Sequence, residues 1–465
     1  MTPEKVTQAI DQAREALAKQ DPRGAFGALR WVLQYPSRVS ADPIVWPQVV
    51  ALFADISERI AGPELAGQLR SVLPAPKRRL LGLWSGAVQP ASAQALFEVG
   101  YALIEHELHG IAATFLALAN DLEPNRERIV GELAIALESA GQHEEARRIL
   151  ESAPAVLASS FNCSYLLAFD TLLTGDVALA RERHAKLRAA DDLERWMAGA
   201  LDGMLLRAEA LLRGSSRLDP LSTEDLAGWQ FVVNGSFLLH RSAFGFEEGM
   251  RGRYAYTQDF LGRCHAGLVR LKRLCSIVDF RPVAILSMPN RDSQILALAA
   301  SELFGVPKEP WREAPLSPGL IIAYDMQGVE LTKAEVDALR AGAPGQAYFE
   351  HAACWTSPFP VAGDVINYLQ QINQAPWGHR TSFDPETRTK TELSADERAP
   401  EVIAQELLAA PVDYEDELHG DEAELERLVE QALGLPPDAQ PQMLRRSGPR
   451  LLQRSDSRVK SNRFG

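Results

Sequence analysis

Cysteine is scarce in this chain of 465 residues: there are four, Cys163, Cys264, Cys275 and Cys354, and no two form a C-x-x-C pair. That scarcity argues against a disulfide framework and a zinc-finger ligand set, and predicts reduced, buried thiols. Long apolar runs are missing too, since no stretch approaches the roughly 18 residues of a membrane-spanning helix. Positive charge is in deficit, with 48 Lys and Arg against 62 Asp and Glu and a formal net charge of −14. A protein-wide nucleic-acid surface is disfavoured on that balance, whereas a local basic patch is not. The Walker loop, the G-x-S-x-G elbow and H-E-x-x-H are all absent. The opening "MTPEKVTQAIDQAREALAKQ" carries both signs of charge and lacks the apolar core of a signal peptide, so the expected compartment is a reducing cytoplasm. The length predicts two or three domains.

From Met1 to about Gly214, proline and β-branched runs are also sparse, and what is there is helical and repetitive. Small residues recur at a spacing of 34, as Ala112, Ala146 and Ala180 and as Gly100, Ala134 and Ala168. Leu116 and Leu150 keep the same step, as do Ala119 and Ala153. Small residues let two antiparallel helices approach, and larger apolar ones fill the groove to the next pair. Turns such as "SAGQHEE" and "LTGDVA" supply a glycine to end the first helix of a pair. On these residues the chain resembles the tetratricopeptide repeat family, closely over 93–190 and more distantly over 1–75. Segment 74–92 breaks the period, and "RWMAGALDGMLLRAEALLRG" reads as a capping helix. The resemblance implies capture of a protein or peptide in a concave groove.

After "GSSRLDP" the pattern changes. "WQFVVNGSFLLHRS" reads as two short strands joined at Asn234-Gly235 by a hairpin turn, ending in His240 and Arg241 on a solvated edge near Arg251 and Arg253. "FGFEEGMRGRYAY" reads as a loop and a strand, and Thr257 as the cap of the helix that follows. "PVAILSM", "GLIIAYDM" and "QAYFEHAACW" are buried strands; "RDSQILALAASELFG" and "TKAEVDALRAG" are helices stopped by Gly305 and Gly342. "AGDVINYLQQIN" is predicted as a further helix. Apolar strands alternating with helices predict a mainly parallel sheet covered on both faces. In "EHAACW", His351 and Cys354 are three apart on a strand and face opposite ways, so they are not a nucleophile–base pair.

In such sheets ligands sit beyond the carboxyl ends of the strands. Two loops there carry candidate residues. Pro289, Asn290, Arg291, Asp292 and Ser293 place helix-terminal amides and a guanidinium where an anion could bind. In "YDMQGVE", Asp325 ends a strand and Gly328 permits a tight turn; such a carboxylate could orient a ribose hydroxyl or a hydrated magnesium ion. The order of elements over about 257–355 is similar to that of the type I phosphoribosyltransferase family. That resemblance makes 288–293 the counterpart of its pyrophosphate loop, and Asp325 and Gly328 remnants of its ribose-phosphate loop. Met326, Gln327 and Val329 stand where the family carries a second acid and hydroxyls, so its catalytic signature is eroded here.

The expected architecture is therefore an all-α tetratricopeptide-like solenoid over 1–214 and an α/β phosphoribosyltransferase-like domain over 215–378. An extension over 379–465 has short acidic helices and a mobile tail with seven Arg or Lys against one Asp. The reading assigns no catalytic residue, no metal ligand and no cofactor beyond magnesium accompanying a phosphorylated ligand. The expected function is a scaffold that binds a protein partner through the repeats. The alternative is a divergent phosphoribosyltransferase-like enzyme or sensor of a phosphorylated sugar or nucleotide. Nucleic acid is expected only at the basic tail, and no membrane.

Overall fold

The computed structural model describes residues 2–36, 38–73, 79–80, 83–84, 91–214, 220–242, 249–314, 317–384, 387, 389–412, 422–445 and 448–461. The chain divides into two compact units, Met1–Ala198 and Gly199–Gly465.

The first unit is a succession of helical hairpins. Helices α1 (Pro3–Ala18) and α2 (Pro22–Leu33) pack together, as do α3 (Val45–Ile60) and α4 (Pro63–Ser71). Most of segment 74–92 lies outside the described residues; its two short strands, β1 (Arg79–Leu80) and β2 (Leu83–Trp84), pair antiparallel. Then come α5 (Ala93–Glu105) and α6 (His109–Leu122), α7 (Glu127–Ser139) and α8 (His143–Glu151), and, after the short α9 (Pro154–Ser159), α10 (Phe161–Leu173) and α11 (Val177–His184). The first helices of these pairs begin at 93, 127 and 161 and the second at 109, 143 and 177, a step of 34 in both series. The turn residues obey it as well: Glu107, Gly141 and Gly175 all have positive φ, at 59°, 69° and 90°. The small residues seen in the sequence, Gly100, Ala134, Ala168, Ala112, Ala146 and Ala180, are all buried. A Cβ on Gly100 would lie 2.5 Å from Leu116 Cγ, which shows how closely α5 and α6 approach. Between the second and third pairs, His143 Nδ1 meets Asp170 Oδ1 at 2.9 Å.

The division between the units falls within α12 (Asp192–Arg213). In the second unit, α13 (Leu226–Asn234) precedes β3 (Phe237–Leu238), where a hairpin was expected. Gly235 does adopt positive φ, at 67°, but as the left-handed cap of α13. Every residue of that helix is buried, so its Val232-Val233 pair mimicked a strand. His240, Arg241 and Arg253 are buried rather than on a solvated edge, and His240 Nε2 lies 2.8 Å from the Tyr254 hydroxyl. Residues 243–248 of the expected loop lie outside the described residues. Thr257 belongs to β4 (Tyr254–Gln258) and is not a helix cap; α14 (Leu261–Ile277) begins after Phe260.

Strand β5 (Ile285–Ser287), α15 (Arg291–Phe304), β7 (Gly319–Ala323), α16 (Lys333–Ala341) and β8 (Gln346–Cys354) follow the expected order, and a short strand that was not expected, β6 (Lys308–Pro310), lies between α15 and β7. Gly305 caps α15 in the left-handed conformation, and Thr332 and Glu335 form a capping box on α16. Val365–Gln374, expected as a helix, is strand β9. Its apolar residues fit either period, but the gap between β8 and the pair β3/β4 requires a strand buried on both faces. The sheet has seven strands in the order β3-β9-β8-β7-β5-β6, with β4 also on β9, and all these pairings are parallel.

Strands β10 (Arg380–Asp384) and β11 (Thr389–Leu393) form a hairpin before α17 (Pro400–Ala409) and α18 (Glu422–Leu433). The basic segment expected to be mobile is instead held against the sheet unit over 449–461. Leu452 bridges Val361, Arg450 is buried beside Asp364, and Arg253 donates to the Val459 carbonyl.

Candidate functional site

The sheet order sets the location. Strand β6 lies outside β5, whereas β8 and β9 lie beyond β7, so the winding reverses between β5 and β7. A crevice forms beyond the carboxyl ends of strands at such a reversal. The loop after β5 and the turn after β7 both stand there, and all seven residues selected from the sequence lie in those loops or the first turn of α15.

The side chains of Arg291, Asp292, Ser293 and Asp325 point to internal partners. Arg291 Nη2 donates to the carbonyls of Asp396 at 2.7 Å and Arg398 at 2.8 Å. Asp292 Oδ1 accepts the Trp377 indole N–H at 2.6 Å. Ser293 is buried, and its Oγ accepts the Tyr324 amide at 2.9 Å, tying one loop to the other. Asn290 stands at the N-cap position of α15 in extended backbone with no side-chain bond to the helix, its Oδ1 buried without a hydrogen-bond partner among the described residues, and the Pro289 carbonyl accepts from Gln294. Asp325 Oδ1 accepts the Gln327 amide at 2.8 Å, and its Oδ2 accepts from Gln370 at 3.2 Å. Gly328 has φ 76°, which the turn after Asp325 requires.

Beside that turn is a cleft of about 340 Å³ lined by residues that include Gly328, Glu350, Cys354 and Phe359. Burial pushes the Asp325 carboxyl up to about 7. Burial first, and then the charge of Asp325, pushes Glu350 up to about 8. The Tyr348 hydroxyl donates to Glu350 Oε2 at 3.3 Å.

A second cluster was not visible in the sequence. Asp259 follows β4, Cys264 lies in the first turn of α14, His351 is on β8 and Tyr324 follows β7; all four are buried. Asp259 Oδ2 accepts the Tyr324 hydroxyl at 2.8 Å and the Cys264 thiol at 3.2 Å, and lies 2.9 Å from His351 Nε2. The same nitrogen is 3.6 Å from Cys264 Sγ. His351 Nδ1 faces Asn367 at 3.3 Å, and Arg263 Nη1 is 3.5 Å from Asp259 Oδ1. Burial alone would raise the Asp259 carboxyl; His351, Arg263 and Cys264 outweigh it and hold it well below the carboxylate range. Burial, reinforced by Asp259, pushes the Cys264 thiol well above its usual value. A thiolate nucleophile needs the opposite shift and some exposure, so this is not a cysteine–histidine catalytic pair. Cys354 is not a partner of His351; its Sγ lies near Thr356 and Ser357. Asp259, Cys264 and His351 form a set that could hold a metal ion.

In the helical unit, Tyr101 on α5 and Ile135 on α7 occupy the same place in successive repeats, and each is 38% exposed. The Arg128 guanidinium lies 4.6 Å from the Phe97 ring centroid and 5.9 Å from that of Tyr101. Glu132, on the same helix as Ile135, has its carboxyl raised by burial. No helix among the described residues is long and apolar enough to cross a membrane.

No protein-family model matches the chain. No curated protein matches it either. Among solved structures it is similar to one described as "Functional Characterization of Pseudomonas Aeruginosa pilF", at 18% identity and a TM-score of 0.22, with 43% of this chain and 82% of that chain covered. A likeness that slight carries no inference about activity or partners.

Proposed function

We propose that the chain is a protein-interaction adaptor. Its helical unit is of the tetratricopeptide-like type and captures a polypeptide partner on the face shared by α5 and α7. The observation that carries this reading is the recurrence of Tyr101 and Ile135, half-exposed at one repeat position, beside the stacked Arg128. Partly exposed aromatic side chains and a pre-positioned arginine are the groups that dominate interface energies. The α/β unit is a non-catalytic module of phosphoribosyltransferase-like descent. Its crevice stands where that family binds phosphate, but Arg291, Asp292 and Ser293 are spent on internal partners.

Photo-crosslinking residues introduced at 101 and 135, with a control at exposed Glu144 on α8, test the capture face. A discrete adduct is expected from the first two positions and not from the control. Tyr101→Ala combined with Ile135→Asp should abolish capture by the native chain without moving its melting temperature. Equal crosslinking from all three positions would overturn the reading.

A further inference from the structure

We propose that Asp259, Cys264 and His351 form a structural zinc site that fastens the start of α14 to the interior of the sheet. Their candidate ligand atoms form a closed triangle with sides of 2.9, 3.2 and 3.6 Å. Tetrahedral zinc with bonds of about 2.0–2.3 Å spaces its ligands about 3.4–3.6 Å apart. The longest side already meets that spacing, and the other two need only a few tenths of an ångström.

Without a metal, Asp259 Oδ2 is crowded. The Tyr324 hydroxyl, the Cys264 thiol and His351 Nε2 all converge on this one oxygen. A carboxylate oxygen offers about two lone-pair sites, one fewer than the hydrogens aimed at it. Its partner Oδ1 is occupied as well, by the Phe260 amide at 3.0 Å and by Arg263. A divalent cation removes the conflict. The thiol loses its proton to solvent, and the imidazole proton moves to Nδ1. There the Asn367 side chain lies 3.3 Å away and, with its amide turned, offers its oxygen as acceptor. The Tyr324 hydroxyl stays as a donor to Oδ2. The thiolate and the carboxylate carry two negative charges against the ion's two positive ones; the Arg263 guanidinium is an additional charge and lies over the Tyr254 and Phe260 rings. Complete burial suits a structural site and leaves no path for a substrate.

The test uses the full chain, stripped with a chelator and reloaded with zinc or cobalt(II). One metal per chain is expected, with a thiolate-to-cobalt charge-transfer band that disappears in Cys264→Ser. Zinc should raise the melting temperature of the native chain by several degrees and leave Cys264→Ser unmoved. X-ray absorption at the zinc edge of the native chain needs no variant, and should show a single sulfur among nitrogen and oxygen neighbours. No stoichiometric uptake, or a shell without sulfur, overturns the proposal. The crosslinking experiment on the helical unit is unaffected by either result, so the two readings fail separately.

Discussion

The Glu350 carboxyl is buried and the Asp325 carboxyl half-buried, each without a cationic partner in its hydrogen bonds; burial disfavours the charged form of both, and Asp292 adds to this at Asp325 and Asp325 at Glu350. Both folded values, about 7 and about 8, lie above the unfolded values near 4. A group shifted in that direction stabilises the fold below its unfolded value, and the contribution is lost as pH rises through the folded one. Asp259 has the opposite sign: it is held low, so its contribution is present above about pH 4 and lost in acid. Stability of the second unit should therefore be greatest near about pH 4 to 5, fall as pH rises from there to about 8, and level off above that. Each titrating group can contribute at most about 1.4 kcal/mol per pH unit, and two coupled carboxyls share the transition. Glu350→Gln combined with Asp325→Asn should flatten that fall in melting temperature, because the amides carry no charge to bury. An unchanged slope would show that the carboxyls ionise in the fold at little cost.

At the scale of elements, the repeat rests on side-chain size. Gly100 stands where α5 crosses α6, and an added Cβ would meet Leu116 at 2.5 Å, at its Cγ rather than its flexible tip. Gly100→Val should destabilise the helical unit by about 1–3 kcal/mol, read as a lower denaturant midpoint. Ala134→Gly at the equivalent place removes a methyl and adds backbone entropy, and should cost about 1 kcal/mol. Such positions were legible in the sequence because a step of 34 is a local pattern, repeated by the helix starts and by the positive-φ turns at Glu107, Gly141 and Gly175. The loops at Pro289 and Asp325 were legible for a similar reason, each being a strand, a loop and a helix in sequence order. Elements whose identity depends on distant neighbours were not. Strand β9 carries apolar residues that suit a helical period, and only its place between β8 and β3 makes it a strand. Gly235 signals positive φ, but a helix cap and a hairpin turn use the same glycine. The Asp259 cluster gave no signal, because Cys264 and His351 are 87 residues apart and meet only when α14 packs on the sheet.

At the scale of the whole chain, the final segment closes the second unit. Asp364, buried just before β9, accepts the Tyr348 amide at 2.8 Å and the Met443 amide at 3.0 Å. Arg450 approaches the same carboxylate, with Nε 3.5 Å from Oδ2, and both side chains are almost fully buried. The Arg450 amide donates to the Arg340 carbonyl at 2.7 Å and its Nη1 to the Leu339 carbonyl at 2.5 Å, which fastens the segment to the end of α16. Farther on, Arg454 and Asn234 exchange two hydrogen bonds, and Arg458 reaches the Leu221 carbonyl at 2.9 Å. The basic residues that suggested a mobile polycation are thus used one at a time as internal donors. Breaking a buried ion pair by removing one partner typically costs about 3–5 kcal/mol, because the other charge is left unpaired. Ending the chain after Gly448 should lower the denaturant midpoint of the second unit by at least that equivalent and leave the helical unit's transition in place. Arg450→Met, which keeps the segment and its backbone bonds, should fall between the truncation and the native chain. If truncation leaves the midpoint where it is, the segment does not hold the unit together, and the arginines become available to an acidic partner after all.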